Sequence, residues 1–122
     1  MLRLLLVDDD HDGVEIRRLI LERAGYDVFV KRTADGARRL FAEISPEIVM
    51  LDLRLPELQD GLALIREFRE ASAALKIIVL AGMASDLKGR PEEQLVDAVL
   101  AKPLRSEKLV KALVKAQGVG SD

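Results

Sequence analysis

The sequence predicts an α/β fold in which one parallel β-sheet is doubly wound, with helices on both of its faces. The first observation is that short continuous apolar runs alternate along the chain with segments of helical periodicity. The second is that this alternation yields five β-α units, which connect parallel strands by crossovers. The third is the length, since 122 residues can bury one core but not two.

Five strands are predicted from the apolar runs. They are Leu4–Val7, Val28–Val30, Ile48–Leu51, Ile77–Leu80 and a fifth strand that contains Val99 and Leu100. Each run is short enough for a strand that is buried on both faces. The sheet is therefore expected to lie at the centre of the domain.

The first helix is predicted over about Asp12 to Ala24, where apolar residues recur with a period near 3.6. Ile16, Leu19 and Ile20 fall on one of its faces. Gly25 is well placed to end this helix, because glycine adopts the left-handed conformation that commonly follows a last helical turn.

The remaining helical segments follow the other strands. Thr33 or Asp35 is expected to cap the second helix, and the third carries Leu62, Ile65 and Phe68 at helical spacing. These spacings predict one buried face for each helix.

The fourth β-α unit is the weakest. Gly82, Gly89 and Pro91 interrupt any long helix between the fourth and fifth strands, so this segment is predicted to be short or irregular. Pro91 is suited to the first residue of a short helix. A last helix is predicted over about Ser106 to Ala116.

Composition excludes several functions. A formal net charge of −2 provides no global attraction to nucleic acid or to an anionic membrane, and the absence of cysteine excludes disulfides and thiolate sites. No apolar run approaches the length of a membrane span, and the start has no cleavable signal pattern. We therefore expect a cytoplasmic protein.

Charged residues follow three of the predicted strands. Asp8, Asp9 and Asp10 end the first strand, Asp52 ends the third, and Lys102 ends the fifth. Because parallel strands share one carboxyl edge, four carboxylates and one ammonium group are expected to meet in one crevice. Carboxylates that close repel one another, so this crevice calls for a cation.

Oxygen ligands of this kind suit Mg²⁺, which binds to one or two carboxylates together with a phosphate. A carboxylate can also be a nucleophile that forms an aspartyl-phosphate. Asp52 is the single acid of an otherwise apolar strand and is the natural acceptor, while Lys102 is placed to neutralise phosphoryl oxygens.

The joint order and spacing of these motifs resemble the receiver domain of two-component response regulators over essentially the whole chain. The matching motifs are Leu-Val-Asp8-Asp9-Asp10, Met-Leu-Asp52-Leu-Arg-Leu-Pro56, Asp60-Gly61, Ile-Ile-Val-Leu80 and Ala-Lys102-Pro103. The resemblance implies a flavodoxin-like sheet with strand order 2-1-3-4-5. It also implies one receiver domain over residues 1–117, followed by a flexible tail over residues 118–122.

The resemblance further implies roles for individual residues. Asp52 would be phosphorylated by a sensor histidine kinase or a histidine phosphotransfer protein, and Lys102 would bind the phosphate. Asp9, Asp52 and the backbone carbonyl of Arg54 would bind Mg²⁺ (or Mn²⁺), with Asp8 acting through water. Such a domain is a signalling switch rather than an enzyme. The resemblance does not identify the output partner, and it leaves open whether the domain forms a homodimer. Direct binding to nucleic acid or membrane is not expected.

Two positions depart from the family pattern. Ala81 stands where a Ser or Thr hydroxyl commonly bonds the phosphoryl group, and Val99 stands where an aromatic ring often turns inward on activation. A pseudo-receiver that interacts with partners without phosphate-driven switching is therefore the first alternative. A haloacid-dehalogenase-type phosphohydrolase is the second, because Asp8-x-Asp10 resembles its nucleophile motif, although that assignment leaves Asp52 unexplained.

Other charged residues are interpreted structurally. Asp10 is expected to begin a loop or cap a helix, Asp60 to serve a turn and a helix cap, and His11 to be solvated. The four arginines of the first two helices are expected on solvated faces. They are Arg17, Arg18, Arg38 and Arg39.

Overall fold

The fold is a five-stranded parallel sheet with strand order 2-1-3-4-5, as the resemblance implied. A computed structural model describes residues 1–103 and 105–116, without the side chain of Ala84. The strands, named in chain order, are β1 (Arg3–Val7), β2 (Asp27–Lys31), β3 (Ile48–Asp52), β4 (Lys76–Ala81) and β5 (Ala98–Ala101). The predicted runs thus locate all five strands and miss only one or two residues at their ends. The predicted tail and residue 117 lie outside the described residues.

Within the described residues, four α-helices cover the two faces of the sheet. They are α1 (His11–Arg23), α2 (Ala34–Ile44), α3 (Leu58–Ala71) and α4 (Ser106–Ala116). One core cluster joins α2 and α3 to the strands, and a second joins α1 and α4 to the opposite face. Neighbouring residues of β1, such as Leu4 and Leu5, belong to different clusters, because successive side chains of a strand point to opposite faces.

The predicted face of α1 is wrong for two of its three residues, since Ile20 is partly buried and packs against a core cluster. Ile16 and Leu19 are 62% and 55% exposed, whereas Val14 and Leu21 are buried against the sheet. Val14 and Leu21 are seven residues apart, so they lie on one stripe of the helix, and Arg17 lies between them on the same stripe. The helix is thus rotated about its axis from the expected orientation, and this brings an arginine to the inner side.

The other helix signals are confirmed. The hydroxyl of Thr33 accepts a hydrogen bond from the Gly36 N–H at 3.0 Å and caps α2. The Asp60 carboxylate accepts a hydrogen bond from the Glu57 N–H at 3.0 Å at the start of α3. The three apolar residues predicted for α3 are buried. They are Leu62, Ile65 and Phe68.

The fourth unit is irregular, as predicted. Two short 3₁₀ helices, Ala84–Asp86 and Pro91–Leu95, stand between β4 and β5. The guanidinium of Arg69 on α3 secures this segment, because it donates to the carbonyl of Leu95 at 2.9 Å and to Asp97 Oδ2 at 3.1 Å. Arginine has several donors in a rigid fork, which suits it to such multiple bonding. Among the described residues, every helix is too short or too polar to traverse a lipid bilayer.

Candidate metal and phosphoryl site

The register of β1 against β3 brings two carboxylates together. Val7 pairs with Leu51, so the next residues, Asp8 and Asp52, lie side by side at the carboxyl edge. Asp8 has no exposed surface and Asp52 is 8% exposed. β1 and β3 therefore hold the two acids at the carboxyl edge of the sheet, where burial leaves little water to screen the repulsion between their charges.

The backbone supplies donors to both acids. The Asp10 N–H donates to Asp8 Oδ1 at 2.9 Å, and the Arg54 N–H donates to Asp52 Oδ1 at 3.3 Å. These bonds orient the two carboxylates. The Arg54 side chain is exposed, and its Nη2 lies 3.4 Å from Asp86 Oδ2. The metal-binding role of the Arg54 backbone carbonyl stays a prediction.

Asp8, Asp9 and Asp52 form one acidic set. One oxygen from each carboxylate lies within 4.8 Å of the others, a spacing suited to a common cation. The donors are all oxygens, which fits a hard divalent cation such as Mg²⁺ and does not fit a metal that prefers sulfur or imidazole. Asp10 is outside this set and precedes α1, and its side chain makes no capping hydrogen bond.

Lys102 reaches the same pocket from β5. Its Nζ donates to Asp52 Oδ2 at 2.5 Å. The two strands are separated by β4, so the lysine stem crosses the end of that strand, where the residue is the small, buried Ala81. The backbone N–H of Lys102 also donates to the Ala81 carbonyl at 2.9 Å and fixes the start of this path.

Sequence reasoning missed Arg17. Its guanidinium Nη2 contacts Asp8 Oδ2, and the side chain is only 15% exposed. Burial lowers the pKa of Arg17 from its usual value, and the charge of Asp52 opposes this shift. The sequence alone allows either the stripe of Ile16 and Leu19 or that of Val14 and Leu21 as the buried one, and in the structure the second stripe, which includes Arg17, faces the sheet. The solvated face predicted for this arginine is therefore wrong.

The loop after β3 is fixed by the close approach of α3. A Cβ atom at Gly61 would lie 1.8 Å from the Leu53 carbonyl oxygen, so a side chain at this position would collide with the backbone beside Asp52. Glycine is required here for close approach rather than for turn geometry.

The two positions that depart from the family pattern lie on β4 and β5. Ala81 is buried in the core cluster beneath α3, and Val99 packs against the same cluster. Neither side chain offers a hydroxyl or an aromatic ring. His11 is exposed as the first residue of α1, as predicted.

Comparison with known proteins identifies a family whose members the chain resembles. A model of the response regulator receiver domain matches residues 4–114. The chain is 30% identical to a probable C4-dicarboxylate response regulator, DctR, of Halalkalibacterium halodurans, with 94% of the chain and 51% of the relative aligned. It is also 30% identical to the regulator of alkaline phosphatase synthesis, PhoP, of Bacillus subtilis, with 93% and 47% aligned. The chain spans about half the length of these curated relatives.

Solved structures agree with the fold. A sensor protein from Polaromonas is 31% identical, with a TM-score of 0.82 over 93% of this chain and 94% of that one. The response regulator TrrA from Thermotoga maritima, solved in complex with Mg²⁺-BeF, is 25% identical, with a TM-score of 0.85 over 95% and 99%.

Proposed function

The chain belongs to the response regulator receiver domain family, and on that basis we propose that it accepts a phosphoryl group on Asp52 in a Mg²⁺-dependent reaction. Receiver domains are signalling modules of two-component systems. The observation that carries the proposal is the pocket around Asp52, where Asp8 and Asp9 lie within 4.8 Å and Lys102 pairs at 2.5 Å. The Mg²⁺-BeF complex of the relative TrrA supports it.

The proposed donor is a phosphohistidine of a sensor kinase or phosphotransfer protein. An oxygen of the Asp52 carboxylate forms a bond to phosphorus while the P–N bond to the donor imidazole breaks, and the nitrogen keeps the bonding electron pair. A divalent cation bound by Asp9, Asp52 and the Arg54 carbonyl would supply positive charge against the repulsion between carboxylate and phosphoryl oxygens. Asp8 would assist through water.

Lys102 has two roles in this proposal. Before transfer it neutralises Asp52, and after transfer its ammonium group follows the negative charge onto a phosphoryl oxygen. The hydrogen bond from Lys102 Nζ to Asp52 Oδ2 at 2.5 Å supports these two roles. The phosphorylated state then shifts an existing equilibrium between two surface conformations.

The proposal is tested by metal removal. Incubation with acetyl phosphate and Mg²⁺ should add one phosphoryl group, seen by intact-mass spectrometry as a hydroxylamine-sensitive adduct. The same incubation with EDTA should add none, because the three carboxylates would repel the incoming anion without a counter-charge. Excess Mg²⁺ should restore the adduct.

Two results would contradict this function. Incorporation that is equally fast with EDTA would remove the metal dependence. No incorporation from acetyl phosphate or from phosphohistidine donors would leave the pseudo-receiver alternative. Turnover of a generic phosphatase substrate would be needed to revive the phosphohydrolase interpretation, which the family match does not support.

Restoring a hydroxyl at position 81 should strengthen the response to phosphorylation. In Ala81→Thr, a hydroxyl hydrogen bond to the charged phosphoryl group should increase the stabilisation gained on phosphorylation by about 1.5–3 kcal/mol. The measurement is the free energy of urea unfolding with and without acetyl phosphate and Mg²⁺. The matched control is Ala81→Val, which has the same shape without the hydroxyl and crowds the buried position equally. Equal gains in the two variants would refute the assigned role of this position.

A further inference from the structure

Arg17 of α1 contacts Asp8, one of the three carboxylates of the acidic set. We propose that its guanidinium is an internal counter-ion that occupies Asp8 in the metal-free protein and withdraws when a divalent cation binds. This inference rests on the proposed metal-dependent function and adds a determinant of metal affinity within the chain itself.

The first support is the state of Asp8. Its Oδ1 accepts the Asp10 N–H at 2.9 Å, and its Oδ2 contacts the Arg17 guanidinium. Asp8 has no exposed surface, and a buried carboxylate without a partner is strongly destabilising. Arg17 therefore provides, in the absence of metal, the compensation that a cation would otherwise provide.

The second support is the charge balance of the pocket. The three carboxylates together with the two cationic side chains Arg17 and Lys102 leave one net negative charge. A divalent cation added to this set would give +1 and would stand close to both side-chain cations. Withdrawal of Arg17 returns the pocket to neutrality, so like-charge repulsion favours that movement.

The third support is the space beside Arg17. A cavity of about 560 Å³ between α1 and α4 is lined by Arg17, Asp10, Gly13 and Lys102 among others. A Cβ atom at Gly13 would lie 3.3 Å from Arg17 Nη2 and 2.4 Å from Asp10 Oδ2. The guanidinium and the Asp10 carboxylate thus both lie beside Gly13, without an ion pair between them. Asp10 is the partner to which Arg17 moves when it leaves Asp8.

The test measures metal affinity directly. Mn²⁺ binding is followed by electron paramagnetic resonance for the wild type and for Arg17→Met, with Mg²⁺ as competitor. Loss of the competing guanidinium should tighten Mn²⁺ binding at least tenfold, or about 1.4 kcal/mol. Arg18→Met is the matched control, because Arg18 is the next residue of the same helix and pairs with Glu15 and Glu22 at 3.5 Å, outside the site. Its affinity should equal that of the wild type.

The outcomes separate this inference from the proposed function. Equal affinity in the wild type and Arg17→Met would overturn the competition while leaving metal-dependent phosphorylation intact. Weaker binding in Arg17→Met would also overturn it, because Arg17 would then position Asp8 for the metal. No Mn²⁺ binding by either protein would overturn the proposed function together with this inference.

A second measurement needs no variant at all. In the wild type, the Arg17 Nε–Hε group should give a slowly exchanging NMR signal without metal, because Nε is buried while the guanidinium contacts Asp8. Saturating Mg²⁺ should shift this signal and speed its exchange with water, whereas the Arg18 signal should not change. An Arg17 signal that is the same with and without Mg²⁺ would overturn the proposal even if Arg17→Met failed to fold.

Discussion

Replacing Asp52 with asparagine is expected to reduce phosphoryl incorporation from acetyl phosphate to background. The amide has nearly the same shape as the carboxylate, so the pocket keeps its packing, but a neutral amide oxygen does not act as the nucleophile. The variant also leaves Lys102 without the carboxylate that its Nζ contacts at 2.5 Å. Intact-mass spectrometry over a time course with Mg²⁺ measures the effect.

The control for this variant is Asp35→Asn. Asp35 is an exposed acid of α2 that pairs with Arg38 at 2.9 Å and lies outside the acidic set. The Asp35→Asn protein should incorporate the phosphoryl group as fast as the wild type. Labelling of Asp52→Asn at the wild-type rate would mean that another residue is the acceptor.

Replacing Gly61 with alanine is expected to cause the largest loss of stability. The new Cβ would lie 1.8 Å from the Leu53 carbonyl oxygen and 2.6 Å from its carbonyl carbon, so the start of α3 or the end of β3 has to move. Overpacking of this kind against backbone should lower the free energy of unfolding by about 3 kcal/mol. Urea denaturation followed by circular dichroism measures the change.

Gly82→Ala is the matched control, since a Cβ at Gly82 meets no atom within 4 Å. It should change stability by less than about 0.5 kcal/mol, as for a typical surface substitution. Because Leu53 follows Asp52 directly, Gly61→Ala should also slow phosphoryl incorporation. A Gly61→Ala protein as stable as Gly82→Ala would show that α3 accommodates the methyl group without strain.

The sheet was predictable because its strands are short apolar runs, of which β1, β3 and β4 are buried and the edge strands β2 and β5 are partly buried. The order of Asp8, Asp52 and Lys102 at the ends of those runs was equally readable, since parallel strands share one carboxyl edge. The interrupted fourth unit followed from Gly82, Gly89 and Pro91, which locally disfavour a long helix.

The orientation of α1 was not readable in the same way. Its apolar residues lie around the helix, so local periodicity allowed Ile16 and Leu19 as a buried face as well as Val14 and Leu21. The choice depends on how the helix packs against the sheet and on the buried carboxylate of Asp8, which needs a positive partner. Both conditions depend on residues outside α1, so the periodicity of the helix alone does not reveal which of its faces is buried.

The amino-acid sequence therefore determined the strands, the acids and the lysine that they bring to one edge, and the family to which these motifs belong. Tertiary structure alone decided that Arg17 faces inward and pairs with Asp8. The physical reason is the sequence separation over which the interactions act. Strand and helix patterns arise from residues that are close together in the chain. A buried ion pair between distant residues forms only when tertiary packing removes both charges from water.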